Sequence, residues 1–176
     1  GSARTVPHSL GVAPEMMWFK RRNTDRDWIT YDAPNGATKF MYLNRDQTSD
    51  ISSVYFNDVT PTDSVFTVNT NNRVNGSGDT YIAYLFASLA GISKVGSYTG
   101  NGSSQTISCG FSAGSRFVLI KSINASGDWY VWNSLSGIVA GNDPHLSLNT
   151  SAAEVTTDDS LDPANAGFIV NQVSAT

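Results

Sequence analysis

Asp79-Thr-Tyr-Ile-Ala-Tyr-Leu-Phe-Ala-Ser-Leu-Ala-Gly-Ile-Ser-Lys-Val-Gly-Ser-Tyr-Thr-Gly-Asn-Gly102 decides the fold. It holds two strand-like runs, Thr80 to Ala87 and Ile92 to Thr99, joined by Ser-Leu-Ala-Gly. The segments on either side of it look like two copies of one another. The stretch therefore reads as a seam, at once the last strand of a first copy and the first strand of a second.

The copies align letter by letter, and an internal period of this kind controls the whole fold assignment. Thr5-Val-Pro-His-Ser-Leu-Gly-Val-Ala-Pro-Glu-Met-Met-Trp-Phe-Lys20 lies over Thr106-Ile-Ser-Cys-Gly-Phe-Ser-Ala-Gly-Ser-Arg-Phe-Val-Leu-Ile-Lys121 at a constant offset. Asn23-Thr-Asp-Arg-Asp-Trp28 falls on Asn124-Ala-Ser-Gly-Asp-Trp129 without a gap. Farther along, Tyr42-Leu-Asn44 matches Ser147-Leu-Asn149, and Val65-Phe-Thr-Val-Asn69 matches Gly167-Phe-Ile-Val-Asn171. The expected organisation is a cloning remnant and tail over 1–4, a β repeat over 5–91 and a second β repeat over 92–176, the two able to share one sandwich. Each copy lacks one flank that the seam supplies, as in a window cut from a longer protein.

Working outward from the seam, almost every segment favours strands. Met16 to Arg21 is a continuous apolar run ending in cations, the pattern of a strand covered on both faces. Asp27 to Asp32 returns it as a hairpin, and the second copy repeats that hairpin around the turn Asn124-Ala-Ser-Gly-Asp128. Strands are also expected over Thr38–Leu43, Ser53–Asn57, Ser64–Thr70, Gln105–Cys109, His145–Asn149 and Gly167–Asn171. Pro34, Pro61, Pro144 and Pro163 suit loops and edges. Helix is confined to one turn over Thr150–Thr156. The fold class is all-β, an antiparallel β-sandwich of jelly-roll or lectin-like type built from two related repeats.

Composition limits the partners. Only 15% of residues are charged, and Ser, Thr, Asn and Gly carry the polarity, as in extracellular and virion β proteins with long loops. A net charge of -4 gives no general attraction to nucleic acid or to an anionic membrane, and neither is expected as a partner. The cluster Lys20, Arg21, Arg22, Arg26 reads as the solvated end of a hairpin. With Cys109 alone no intrachain disulfide forms, and no apolar run approaches the length of a membrane-spanning helix.

The pattern Thr-Val-Pro-His-x-Leu-Gly-Val-Ala-Pro-Glu, an apolar run, Lys-Arg-Arg and a Trp hairpin resembles a repeat domain of tailed-bacteriophage virion proteins, often marine. Gly36-Ala-Thr-Lys39, Thr80-Tyr-Ile-Ala-Tyr-Leu-Phe86 and Gly96-Ser-Tyr-Thr-Gly-Asn-Gly102 extend the resemblance over nearly the whole chain. It is similar to domains described as tail fibre or concanavalin-A-like lectin. The resemblance implies a location in the virion, other virion proteins as neighbours, and a homo-oligomer, a trimer as in most fibres. It carries over no catalytic or ligand residues. The second copy departs where Pro14 becomes Ser115 and the Gly-Ala-Thr-Lys box becomes Ser-Gly-Ile-Val.

The chemistry points to binding. His8 and His145 sit in no motif that joins a nucleophile to a base, so no catalytic residue is assigned and the chain is not expected to be an enzyme. A glycosidase needs two carboxylates across a cleft, but Asp27 and Asp128 each follow a turn, where Asp caps its own backbone. The loop Asp158-Asp-Ser-Leu-Asp162 offers oxygen ligands to calcium without EF-hand spacing, and no other cofactor or metal is expected. Trp28 and Trp129 occupy equivalent hairpin positions, on one face with Thr30 and Val131, while Ile29, Tyr31, Tyr130 and Trp132 point to the other. One face must pack on the core. If the Trp face is the open one, Trp28 and Trp129 stack on a sugar while Asp27, Asp128 and Asn124 bond its hydroxyls. If it is not, the two rings are matched core anchors. The function expected is host-surface attachment, most simply to a glycan, with a ligand-free structural spacer or head-decoration module as the alternative and a polysaccharide-degrading enzyme as a third.

Overall fold

The computed structural model describes residues 1–171, so the last five residues of the second repeat lie outside it. The chain is all-β with antiparallel pairing, and divides into two compact units. Unit one comprises Gly1–Ser88 with Ser122–Gly127, and unit two comprises Leu89–Lys121 with the residues from Asp128 onward.

Unit one is built from β1 (Arg4–Pro7), β2 (Met16–Arg21), β3 (Ile29–Asp32), β4 (Lys39–Tyr42), β5 (Asp50–Ile51), a single helical turn α1 (Ser53–Phe56), β6 (Val65–Val68) and β7 (Tyr81–Phe86). A five-stranded sheet has the order β5-β4-β3-β2-β7, and β1 pairs with β6 in a second sheet. Alternation along β2 and β3 sends Met17, Phe19, Ile29 and Tyr31 into one core, where they meet Phe40, Phe56, Phe66 and Val68. The core is aromatic: Phe19 contacts Phe66 edge-on at 5.4 Å, and Tyr31 contacts Phe56 at 5.5 Å.

Unit two contains β8 (Gln105–Ser108), β9 (Phe117–Ile120), β10 (Tyr130–Asn133), β11 (His145–Ser147), β12 (Leu161–Ala164) and β13 (Gly167–Val170). Its sheets run β11-β10-β9 and β12-β13-β8. Val118, Trp132, Leu161 and Phe168 form a smaller core, flanked by Ile107, Ile120 and Val170.

The repeat is visible in the pairing. β1–β6 corresponds to β8–β13, β2–β3 to β9–β10, and β3–β4 to β10–β11. The turn after the second hairpin strand opens alike in both. Asp32 accepts from the Asn35 N–H at 3.0 Å, and Asn133 from the Ser136 N–H at 3.0 Å. Gly36 (φ 76°) and Gly137 (φ 130°) then take the left-handed conformation that such a turn needs.

Three expectations fail for physical reasons. Ser53–Asn57 is helical because Tyr55 and Phe56, adjacent in sequence, are both buried, which a helical turn permits and an alternating strand does not. Asn57 (φ 56°) ends the turn. Ile92–Thr99 forms no strand. Among the described residues its bridge is Leu89↔Ser93, which closes a tight turn and leaves Ile92 exposed. Thr150–Thr156 is not helical either, because Val155 exchanges both backbone bonds with His145. Strand β12 was not foreseen, and its Pro163 is tolerated because β12 is an edge. At the other end, β1 begins at Arg4, and the Ser2 carbonyl accepts from the Asn75 amide at 2.7 Å, so the expected tail is built into the unit.

Candidate functional site

The hairpin β2–β3 presents the candidate site. Its return arm begins with Asp27 and Trp28, held from below by Asn44 at the end of β4. Asn44 accepts from the Trp28 backbone N–H at 2.9 Å and donates to Asp27 at 3.1 Å. The Leu43 N–H adds a bond to the Trp28 carbonyl at 3.2 Å. Unit two makes the same clasp: Asn149 accepts from Trp129 N–H at 2.8 Å and donates to Asp128 at 2.8 Å, and Leu148 N–H bonds to the Trp129 carbonyl at 2.8 Å. Asp27 and Asp128 are thus latched to an asparagine of the next strand rather than capping their own turns. The signal was present in the aligned Leu-Asn pairs of the two copies.

Unit one adds two cations to its clasp. Arg45 grips Asp27 in bidentate fashion at 2.8 and 2.7 Å, and Arg73 donates to the same carboxylate at 3.2 Å. Burial alone would raise the Asp27 carboxyl, but the Asn44 amide and the Arg45 and Arg73 guanidiniums outweigh it and hold the group below its ordinary value. Arg45 also lies over the Tyr42 ring at 4.8 Å. In unit two the position of Arg45 is Thr150. There the hydrogen bonds from Asn149 and Ser147 lower Asp128.

Around this clasp runs an open groove of about 500 Å³, lined by Lys20, Asp25, Arg26, Asp27, Trp28, Asn44, Arg45 and Arg73. Four cations against two carboxylates make it positive within an acidic chain. The Trp28 ring is half-buried, stacked at 6.3 Å and 24° on Tyr84 of β7, which is 45% exposed. Lys20 lies 5.8 Å from the centre of the Trp28 ring and donates to the Arg26 carbonyl. Beside it, Trp18 and Phe86 meet at 4.7 Å on the same sheet face. Arg45 also lines a second hollow of about 260 Å³ with Tyr42, Gln47 and Asp50. The basic cluster read as a solvated hairpin end is therefore divided. Lys20 and Arg26 line the groove, while Arg21 pairs with Asp79.

Of the five residues singled out for sugar binding, Asp27 and Trp28 share this groove. Trp129 is only 3% exposed, so its ring face is closed to a ligand. Asn124 is exposed in the 122–127 turn, and Asp128 is half-buried in its clasp. Tyr84, Arg45 and Arg73 were missed because they come from distant strands and loops that only the fold brings to the hairpin.

The remaining chemistry is modest. His145 Nδ1 lies 3.3 Å from Asp158, but the nearby Ser160 hydroxyl donates to Asp143 instead of to an imidazole. Asp143 is fully buried and also accepts from the Ser160 and Leu161 N–H groups. Burial, with Asp158 adding to it, pushes its carboxyl up against these hydrogen bonds. In the loop considered for calcium, Asp159 and Asp162 both accept from the Asn171 amide at 3.0 Å. Among the described residues no group of three or more His, Cys, Asp or Glu is arranged to hold a metal ion.

A family model described as a domain of unknown function, DUF7483, matches residues 1–176 and so spans both repeats. The chain belongs to the DUF7483 family. No curated protein and no solved structure matches it. In this DUF7483 chain the clasp is common to both repeats, whereas the cationic groove is a property of the first.

Proposed function

We propose that the chain is a non-catalytic binding domain of a virion appendage, of the tail-fibre kind, that attaches to a glycan on the host surface. The observation that carries this is the stacked Trp28–Tyr84 pair beside the open groove of Lys20, Arg26, Arg45 and Arg73. An aromatic surface accepts the apolar face of a sugar ring, and charged and amide side chains around it bond hydroxyls and acidic substituents. In this reading the sheets of each unit make a lectin-like sandwich, the rigid clasp sets the hairpin, and the loops at its end do the binding. The resemblance to phage virion repeats supports the location, a homotrimer, and contacts with other virion proteins.

The second reading, a structural spacer or head-decoration module without ligand, is favoured by the burial of Trp129 and by the use of Asp27 and Asp128 as latches. A screen of the purified chain against a glycan array and host polysaccharides separates the two. Attachment predicts saturable binding that falls at least tenfold in Trp28→Ala or Tyr84→Ala proteins with unchanged circular dichroism. Well-folded protein that binds nothing favours the spacer.

A further inference from the structure

The two units share their strand pairings, but the outer edge of β2 and the outer edge of β9 are treated differently. In unit one β2 has a second partner: β7 runs antiparallel to it from Met16↔Phe86 to Arg21↔Tyr81. The ladder is closed by bonds from the Arg22 N–H to the Thr80 carbonyl and from the Glu15 N–H to the Phe86 carbonyl. In unit two β9 is the last strand of its sheet, with β10 as its one ladder partner among the described residues.

We propose that the free edge of β9 receives an antiparallel strand with the chemistry of β7, donated by another repeat of this kind. The backbone is set for it. The Ser134 N–H bonds to the Arg116 carbonyl, and with the observed register this turns the backbone groups of Val118 and Ile120 toward β10. Those of Phe117 and Leu119 then point outward, since bonding alternates along an antiparallel strand. Within the strand itself Phe117-Val-Leu-Ile120 has no proline, no bulge and no charge, and Phe117 is 60% exposed.

The side chains specify the occupant. In unit one Leu85 and Ala83 of β7 join Met17 and Phe19 on the core side, while Phe86 and Tyr84 join Met16 and Trp18 on the outer side. By the repeat alignment a β7-type strand on β9 sets aliphatic groups beside Val118 and Ile120 and aromatic ones over Phe117 and Leu119. Such cross-strand apolar pairs are the unit of sheet stabilisation.

The test adds a peptide of sequence Asp79–Ala87, solubilised by terminal lysines, to the full chain. Amide exchange is followed by NMR, with a scrambled peptide as control. One-to-one saturable binding, with new protection at the Phe117 and Leu119 amides, is expected. Phe117→Lys, a change at an exposed position that keeps the circular dichroism spectrum, should weaken it at least tenfold. No saturable binding, equal binding of the scrambled peptide, or protection elsewhere than β9 overturns the proposal. So does a chain whose Phe117 and Leu119 amides are already protected in a concentration-dependent oligomer, since another copy as it stands then fills the edge.

Discussion

Asn44 and Asn149 each hold two groups with one amide, a backbone N–H and a carboxylate, and neither alanine nor aspartate reproduces both bonds. Asn44→Ala and Asn149→Ala should each cost about 1–2 kcal/mol, read from denaturant midpoints at unchanged m-value. The tryptophans above them should separate. Trp129→Ala opens a cavity and should cost about 3–5 kcal/mol. Half-buried Trp28→Ala should cost less, and its main effect should be on glycan binding. Acid response differs by carboxylate. Asp27 is depressed in the folded state, so its contribution is present above the ordinary carboxylate value and lost as pH falls through that range. Asp143 is raised, so it favours the fold when protonated and that advantage is lost as pH climbs from the ordinary value through the folded one. Asp27→Asn should therefore flatten the acid limb of stability, whereas Asp143→Asn should remove a loss on the neutral side. Urea titrations at several pH values check both signs. The paired Trp residues were legible from the alignment, but their different burial was not. Both follow aligned turns and precede β-branched or aromatic residues, and only the surrounding fold leaves one half-buried and covers the other.

At the level of elements, the continuous apolar run of Met16 to Arg21 and the recurrence of its hairpin in the second copy located β2, β3, β9 and β10. Strand-forming composition misled at α1, where two adjacent aromatics had to enter the same core, and at Ile92–Thr99, where such residues join no ladder among the described residues. The end of α1 holds two consecutive left-handed residues, Asn57 (φ 56°) and Asp58 (φ 55°). Asp58→Gly should relieve backbone strain and raise stability by up to about 1 kcal/mol, read from the urea midpoint. Gly167 is the opposite case. A Cβ there would lie 2.1 Å from the Ile107 carbonyl oxygen, so Gly167→Ala should force β13 from β8 and destabilise unit two by more than about 2 kcal/mol. Its counterpart in the first repeat is Val65, which pairs with Pro7, so the same strand position accepts a side chain in one unit and excludes it in the other.

For the whole molecule, the duplicated pairing was readable because matching segments recur in the same order, at one offset through the first hairpin and at slightly different offsets beyond it, while the division of labour between repeats was not. Arg45 and Arg73 lie outside the aligned segments, and they convert a shared latch into a charged groove. The larger aromatic core of unit one should make it the more persistent unit. Exchange measured by mass spectrometry under mild denaturant should release β9–β13 amides before those of β2 and β3, and the reverse order would contradict it. The asparagine latch has one more consequence. From carboxylate to amide it spans 17 residues in the first repeat and 21 in the second, yet the pairs Ile29↔Tyr42 and Tyr130↔Ser147 keep the same register. Strand alignment is thus fixed at the base of the hairpin and made independent of what lies at its tip. The tip becomes a cassette, a place where descendants of one ancestral repeat can lengthen, shorten or exchange a surface loop without renegotiating the sheet beneath it.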